Sequence, residues 1–294
     1  MSALFRSHRV ASVAIFAPAL LIAGALMIYP FLNGVVMAFT DATPTQREWA
    51  WVGVENFDYV LSDRTFWEVL TNSLVIVGLS VAIAAFCGLL LALLLNEGLA
   101  GTRLYRSLIF QGWVVPWITI AVLWGWLFNF DHGIVNHILV TLGIVDRPLN
   151  WLAGSVLAKV LVISGFVWRI IPFMMVMILA ALQGVPSDLH EAARIDGAGY
   201  VQRLRFVTLP LVRSVIIVAA LLQSVRLFQE LTLPLVTTQG GPINATTTLS
   251  LYTYKLAFER WDFGLAAAVG SIWSGLLILI SAFYVWIVER GAKQ

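Results

Sequence analysis

Four side chains that can bind or hold charge interrupt otherwise apolar stretches: Arg169, Gln223, Arg226 and Glu230. An ionisable group at the centre of a bilayer costs at least about 2.5–3.5 kcal/mol on insertion scales, so it faces the protein interior or water. Gln223, Arg226 and Glu230 fall at i, i+3 and i+7, one face of a helix, where Arg226 and Glu230 can also pair. Such a face can line a path and offer hydrogen bonds to a polyol. It can equally be a structural ion pair that packs its helix against a neighbour. Trp168-Arg169 poses the same alternatives, a path or an interface with a partner chain. The rings of Trp113, Trp117, Trp124 and Trp126 could stack on sugar faces, although tryptophans in membrane helices more often pack or anchor.

Other chemistry is missing. No G-x-x-x-x-G-K-[ST] phosphate loop occurs, so the chain carries no ATPase of that kind. No cluster suits nucleophilic or metal catalysis, and no metal site or catalytic residue is expected. His132 and His137 are close in sequence but have no cysteine near them, and read as loop residues. The only cysteine, Cys87, lies inside an apolar run and excludes an intramolecular disulfide.

The elements that must position these groups are membrane helices. The 294 residues are 60% hydrophobic and 12% charged, against about 25% charge in a soluble domain. The net charge of +2 does not suggest a nucleic-acid partner. A span needs about 20 mostly apolar residues. Six runs qualify, at about 10–39, 70–95, 108–129, 155–182, 211–236 and 264–288. The first exceeds the 7–15 residues of a signal core and reads as a retained span. Pro18, Pro30, Pro116, Pro172 and Pro234 lie inside runs, where neighbouring groups can satisfy the carbonyls that a kink frees. The expectation is an all-α transmembrane chain of one domain, 1–294.

Orientation follows the basic residues. With both termini in the cytoplasm, the inner segments hold Arg6, Arg9, Arg103, Arg106, Arg194, Arg203, Arg205, Arg213, Arg290 and Lys293. The outer segments hold Arg47, Arg64, Arg147, Lys255 and Arg260, with Lys159 near an outer helix end. Basic residues are thus about twofold enriched inside. The acidic outer loop from Asp41 to Glu68 carries Trp49, Trp51, Phe57, Phe66 and Trp67, which suit a helix lying at the outer headgroups.

A polar segment, 184–210, falls in a cytoplasmic loop between the fourth and fifth runs. Ser187 is a plausible N-cap, and Asp188 and Glu191 fall in the first turn, where the helix dipole favours acids. Gly197 and Gly199 then break the helix. A second helical piece, about 200–207, leads to Leu209-Pro210, where the fifth span begins. Ala192 and Ala193 make a smooth flank that another surface can approach, with Glu191 and Arg194 beside it.

Glu191-Ala192-Ala193, Gly197, Val207 and Leu209-Pro210 together resemble the EAA loop of binding-protein-dependent ABC importer permeases, with every spacing in agreement. Val207 stands where that pattern usually has isoleucine. The resemblance continues through "WVGVENF" (51–57), "VWRIIPFMMVMILAALQGVP" (167–186), "EAARIDGAG" (191–199) and "TTQGGPINATTTLSLYTYKLAFERWDFGLAAA" (237–268). It is similar to the carbohydrate branch that takes up maltose-type sugars or glycerol phosphate. One departure lies at Gln111-Gly112, where the pattern carries a proline. The large inserted outer domain of some relatives is absent.

The resemblance implies a six-helix type I ABC importer permease fold in the inner membrane. It implies a coupling helix, with Glu191, Ala192, Ala193, Arg194, Asp196 and Gly197, docked on an ATPase subunit. Gln223, Arg226, Glu230, Arg169 and Trp168 become the expected substrate path. Gly240, Gly241 and Pro242 become an outer gate that meets an extracytoplasmic solute-binding protein. Implied partners are a second homologous permease, two ATPase subunits that bind ATP and Mg, a sugar-like solute and membrane lipid. A rival is an ion-coupled secondary transporter, for which Glu230 is the only deep acid and no convincing repeat exists. A structural or regulatory anchor would need neither the polar face nor the loop.

Overall fold

The computed structural model describes residues 16–19, 21–98 and 100–291, with 287–291 given by their backbone alone. Residues 10–15 of the first apolar run, and Arg6, Arg9 and Lys293 among the orienting basic residues, lie outside the described residues. So does the side chain of Arg290.

Helices run as α1 (Phe16–Met37), α2 (Glu55–Ser62), α3 (Arg64–Asn96), α4 (Thr102–Val114), α5 (Trp117–Leu127), α6 (Ile134–Thr141) and α7 (Ser155–Gln183). There follow α8 (Ser187–Ile195), α9 (Tyr200–Gln229), α10 (Thr232–Thr237), α11 (Leu249–Tyr254) and α12 (Phe263–Gly291). By length and composition α1, α3, α7, α9 and α12 can each cross a membrane, and α4 with α5 makes a sixth span if that bent pair is one. Among the described residues the one β contact is an isolated bridge, Thr40 with Trp51.

Prolines set the departures from straight helices. The third apolar run is two helices, because α4 and α5 meet at 95°. The break falls at Val115-Pro116, both extended (ψ 130° and 144°), whereas Gln111-Gly112 stays helical inside α4. Proline has no N–H to continue a helix and pushes the preceding residue towards extended backbone. Two other prolines are absorbed instead. Pro30 and Pro210 each follow a π-helical segment, Gly24–Ile28 and Leu204–Thr208. The proline ring would press on the carbonyl four residues back, Leu26 or Phe206, and in both helices that carbonyl lies in the widened turn.

The chain divides into two compact units, Met1–Asp63 with Thr253–Ser274 and Arg64–Tyr252 with Gly275–Gln294. Both are built from apolar helices. In the first, the backbone N–H groups of Phe263 and Gly264 donate to Ala42 O at 2.9 and 3.1 Å. Asn56 Nδ2 donates to Ala38 O and Thr40 O, each at 2.9 Å. Gly264 is required here, since a Cβ would collide with the Thr40 carbonyl. Phe39 stacks on Trp51 with 5.4 Å between centroids. Trp49, Trp51 and Trp67 are exposed, as headgroup aromatics would be, but Phe57 is half-buried against Phe39, and Phe66 is 2% exposed and belongs to the core of the second unit. Of these five outer-loop aromatics, three are therefore exposed.

The second unit is organised by α3 against α7, its most extensive helix pair. Ile76, Ala84 and Ala92 of α3 and Phe166, Ile170, Met174 and Ile178 of α7 are buried. Gly88 lets the two backbones close up, for a Cβ there would lie 2.7 Å from Met174 Cβ and 3.0 Å from Met175 N. Ser73 and Ser80, buried in α3, satisfy their hydroxyls by donating to Val69 O and Ile76 O at 2.9 and 2.7 Å.

Candidate functional site

The loop between α7 and α9 is a short helix with a tightly specified end. Helix α8 starts after Pro186, and Ser187 does not cap it: Pro186 is the N-cap, and the Ser187 hydroxyl donates to Asp188 Oδ1 instead. Pro186, with its extended backbone, starts the helix, and it has no side-chain oxygen to offer. At the other end Gly197 has φ +80°. Its N–H donates to Arg194 O at 3.0 Å, and the Ala198 N–H donates to Ala193 O at 2.9 Å. This pair of bonds is the Schellman arrangement, which closes the last carbonyls and needs a left-handed residue. Gly197 thus supplies the turn that the sequence assigned to it.

Glu191, Ala192, Arg194 and Asp196 are exposed, and Ala193 is half-buried. The same stretch of chain exposes apolar side chains: Leu189, Ile195 at 86%, Val201 and Phe206. The second helical piece is not separate from the fifth span. It is the first part of α9, which runs without a break from Tyr200 to Gln229. A displacement of the loop would therefore act directly on α9.

Further along, the charged cluster draws on α7, on α9 and on the link after α9 that carries Glu230. Arg169, on α7, holds its guanidinium carbon 5.2 Å from the ring centre of Trp117 and 5.7 Å from that of Trp113. These two rings flank the α4–α5 break, so the bend at Pro116 builds the aromatic wall around Arg169. Aromatic faces stabilise a cation over them. The charges of Glu230 and Arg226 both act on Arg169, one attractive and one repulsive. Among the described residues, neither Arg169 Nε nor Gln223 Nε2, both buried, has a hydrogen-bond partner. Trp168 is 40% exposed and lies against Trp124, whose Nε1 donates to Ser164 Oγ at 2.9 Å. Trp126 is exposed at 71%.

Glu230 departs from the single helical face. Helix α9 ends at Gln229, and Glu230 is extended (ψ 118°). Its Oε1 accepts from the Thr232 N–H at 2.6 Å, at the start of α10. A carboxylate caps free N–H groups at a helix start better than it serves a helix interior. Its tie to this start and the end of α9 before it replace the expected i, i+4 pair with Arg226. Among the described residues no ion pair joins the two.

The segment after α10 is held by buried hydroxyls. Thr238 Oγ1 and Thr246 Oγ1 are 2.6 Å apart, and Thr246 and Thr247 donate to Gly241 O and Gly240 O at 2.9 and 3.1 Å. Asn72 Nδ2 donates to Asn244 O at 2.8 Å, and Ser73 Oγ accepts from the Leu249 N–H at 2.8 Å. Gly240, Gly241 and Pro242 sit in this frame, and Ile243 projects from it 92% exposed with φ +55°. The anchoring roles of Asn72 and Ser73 were not legible in the sequence, because both lie more than a hundred residues from their partners inside an apolar helix.

Residues 84–293 match the family described as the binding-protein-dependent transport system inner membrane component. The match spans α8, its Schellman turn and the charged cluster. The chain belongs to this family. Its relatives include the trehalose/maltose transport system permease protein of Thermococcus litoralis, 34% identical over 89% of this permease and 92% of that chain. The sulfoquinovosyl glycerol transport system permease protein of Agrobacterium fabrum is 31% identical over 96% of this permease and 91% of that chain. In fold, the permease matches a subunit of a bacterial ABC transporter involved in the import of alginate, with a TM-score of 0.81 at 21% identity, over 98% of this chain and 99% of that one. The fold is that of a type I ABC importer permease.

Proposed function

We propose that the permease forms half of the membrane path of an ATP-driven importer for a sugar or related polyol. A second, homologous permease completes the path, two separate ATPase subunits bind ATP and Mg, and an extracytoplasmic binding protein delivers the solute. The chain contributes no catalysis. Both termini and the α8 loop face the cytoplasm. One observation carries this reading: α8 ends in a fixed left-handed turn and passes into a helix that reaches from the loop to the buried Gln223. Closure of the ATPase dimer pushes α8, and α9 transmits that push to the path.

The path proposed for the solute runs by Arg169, Trp168, Gln223, Arg226 and Glu230. Orphaned donors at Arg169 and Gln223 suit a solute rich in hydroxyl and ether oxygens, because an unpaired buried donor is costly until something accepts from it. The Trp113 and Trp117 rings beside Arg169 add apolar faces of the kind that sugar rings cover. Relatives that carry trehalose or maltose and sulfoquinovosyl glycerol support the sugar class and leave the individual sugar open. Gly240, Gly241 and Pro242 hold the outer gate, where the binding protein docks.

The test is uptake of labelled sugars into vesicles that contain both permeases and both ATPases, with binding protein added outside. Uptake should require internal ATP and ignore ionophores. Uptake that survives loss of the ATPases but collapses with an ionophore would establish the ion-coupled alternative instead.

A further inference from the structure

Behind α8 lies a cavity of about 230 Å³ that the transport path does not use. It is walled by Asn96 and Glu97 at the end of α3, His190 and Arg194 on α8, and Tyr200 and Arg203 on α9. His190 and Arg194 are one helical turn apart, so α8 turns this face towards the spans. Arg203 is half-buried, and its buried Nε has no hydrogen-bond partner among the described residues. Two permanent cations and a histidine thus converge on one space against a single carboxylate, Glu97, which is exposed. Among the described residues no ion pair ties Glu97 to either arginine.

The cavity sits where α3 leaves its apolar run, at Asn96, and where α7 ends. That is headgroup depth on the side proposed to face the cytoplasm. Arginine presents planar, always-charged donors that match phosphate oxygens, and basic pockets between helices at the inner surface hold anionic headgroups. We propose that this cavity binds a phosphate group, the phosphodiester of an anionic phospholipid or free inorganic phosphate. The phosphate accepts from Arg203 Nε and Arg194, and further from Tyr200 or His190. It bridges α8 to α9 across the 196–199 turn and relieves the repulsion between the two arginines. The bound anion stiffens the joint through which α8 moves α9.

The experiment uses the complete importer in phosphatidylcholine nanodiscs and follows amide hydrogen exchange across 187–208 by mass spectrometry. One arm adds phosphatidylglycerol, a second adds inorganic phosphate, and a third adds neither. Either anion should slow exchange in this segment by on the order of tenfold, as an added charge-assisted bridge would. Slowing by phosphatidylglycerol alone identifies the lipid, and slowing by phosphate identifies the free ion; both support the site. Arg203→Gln should abolish the response, Arg203→Lys should retain part of it, and Glu97→Gln should shift it to lower anion concentration. The Glu97 variant guards against loss of fold as an explanation, since it predicts a gain. The proposal is overturned if neither anion changes exchange in the parent protein, or if Arg203→Gln responds like it. It is also overturned if assembly with the ATPases protects the segment fully without anion, which would assign the cavity to a side chain of the ATPase.

Discussion

The Ala198 N–H donates to the Ala193 carbonyl at 2.9 Å, across the turn that Gly197 makes at φ +80°. That bond fixes the angle at which α8 joins the rest of the loop. The coupling role proposed for the loop needs such a joint, since a floppy one would absorb the motion to be transmitted.

Substitution of Gly197 should grade with tolerance for left-handed backbone. Asparagine visits this region readily, alanine pays roughly 1–2 kcal/mol, and a β-branched valine pays more. Coupling efficiency, measured as solute taken up per ATP hydrolysed, should fall in the order Gly, Asn, Ala, Val, with Pro abolishing it. A Gly197→Val protein that couples as well as the parent would remove the joint from the mechanism.

Gln223 offers a test that separates path from packing. Its buried Nε2 has no partner among the described residues, so Gln223→Leu removes an unsatisfied polar group and should raise thermal stability by the equivalent of about 1 kcal/mol. If Gln223 serves the solute, uptake should fall in the same protein, with the apparent KM raised. Raised stability with unchanged uptake would mark Gln223 as a packing residue only.

Trp117→Leu should weaken the setting of Arg169. A cation–π contact is worth about 0.5–2 kcal/mol, which corresponds to roughly 2- to 30-fold in transport affinity if Arg169 contacts the solute. Competition assays with the cognate sugar would read this directly. An unaltered concentration dependence in both Trp117→Leu and Arg169→Gln would place the cluster outside the path.

The outer frame should depend on Asn72 and Thr246. Thr246→Val takes the donor from the part-buried Gly241 O, a loss of up to about 1–3 kcal/mol. Exchange of amides 238–248 should quicken, and stimulation of ATP hydrolysis by the binding protein should weaken. Faster exchange with full stimulation would separate the frame from the gate proposed at Gly240, Gly241 and Pro242.

Much of this was readable in the sequence where one residue type decides one local outcome. Gly197 had to be a left-handed turn, and apolar runs of sufficient length had to be helices. Proline was less readable. Pro116 breaks its span at 95°, while Pro210 is carried by a π-helical turn inside an unbroken helix. The difference lies in what surrounds each proline. Glu230 was misplaced for a related reason. Its spacing from Gln223 and Arg226 fits one helical face, but a carboxylate beside free N–H groups at the start of α10 forms a better bond there than along α9. The cavity behind α8 was not readable, since its walls come from three parts of the chain.

The most direct test of the central claim, that the α8 loop transmits ATP-driven motion to the path, is the ratio of sugar imported to ATP hydrolysed by the reconstituted importer carrying Glu191→Lys. The account predicts a correctly inserted permease, continued basal ATP hydrolysis and a ratio near zero. A parental ratio in that variant would contradict it.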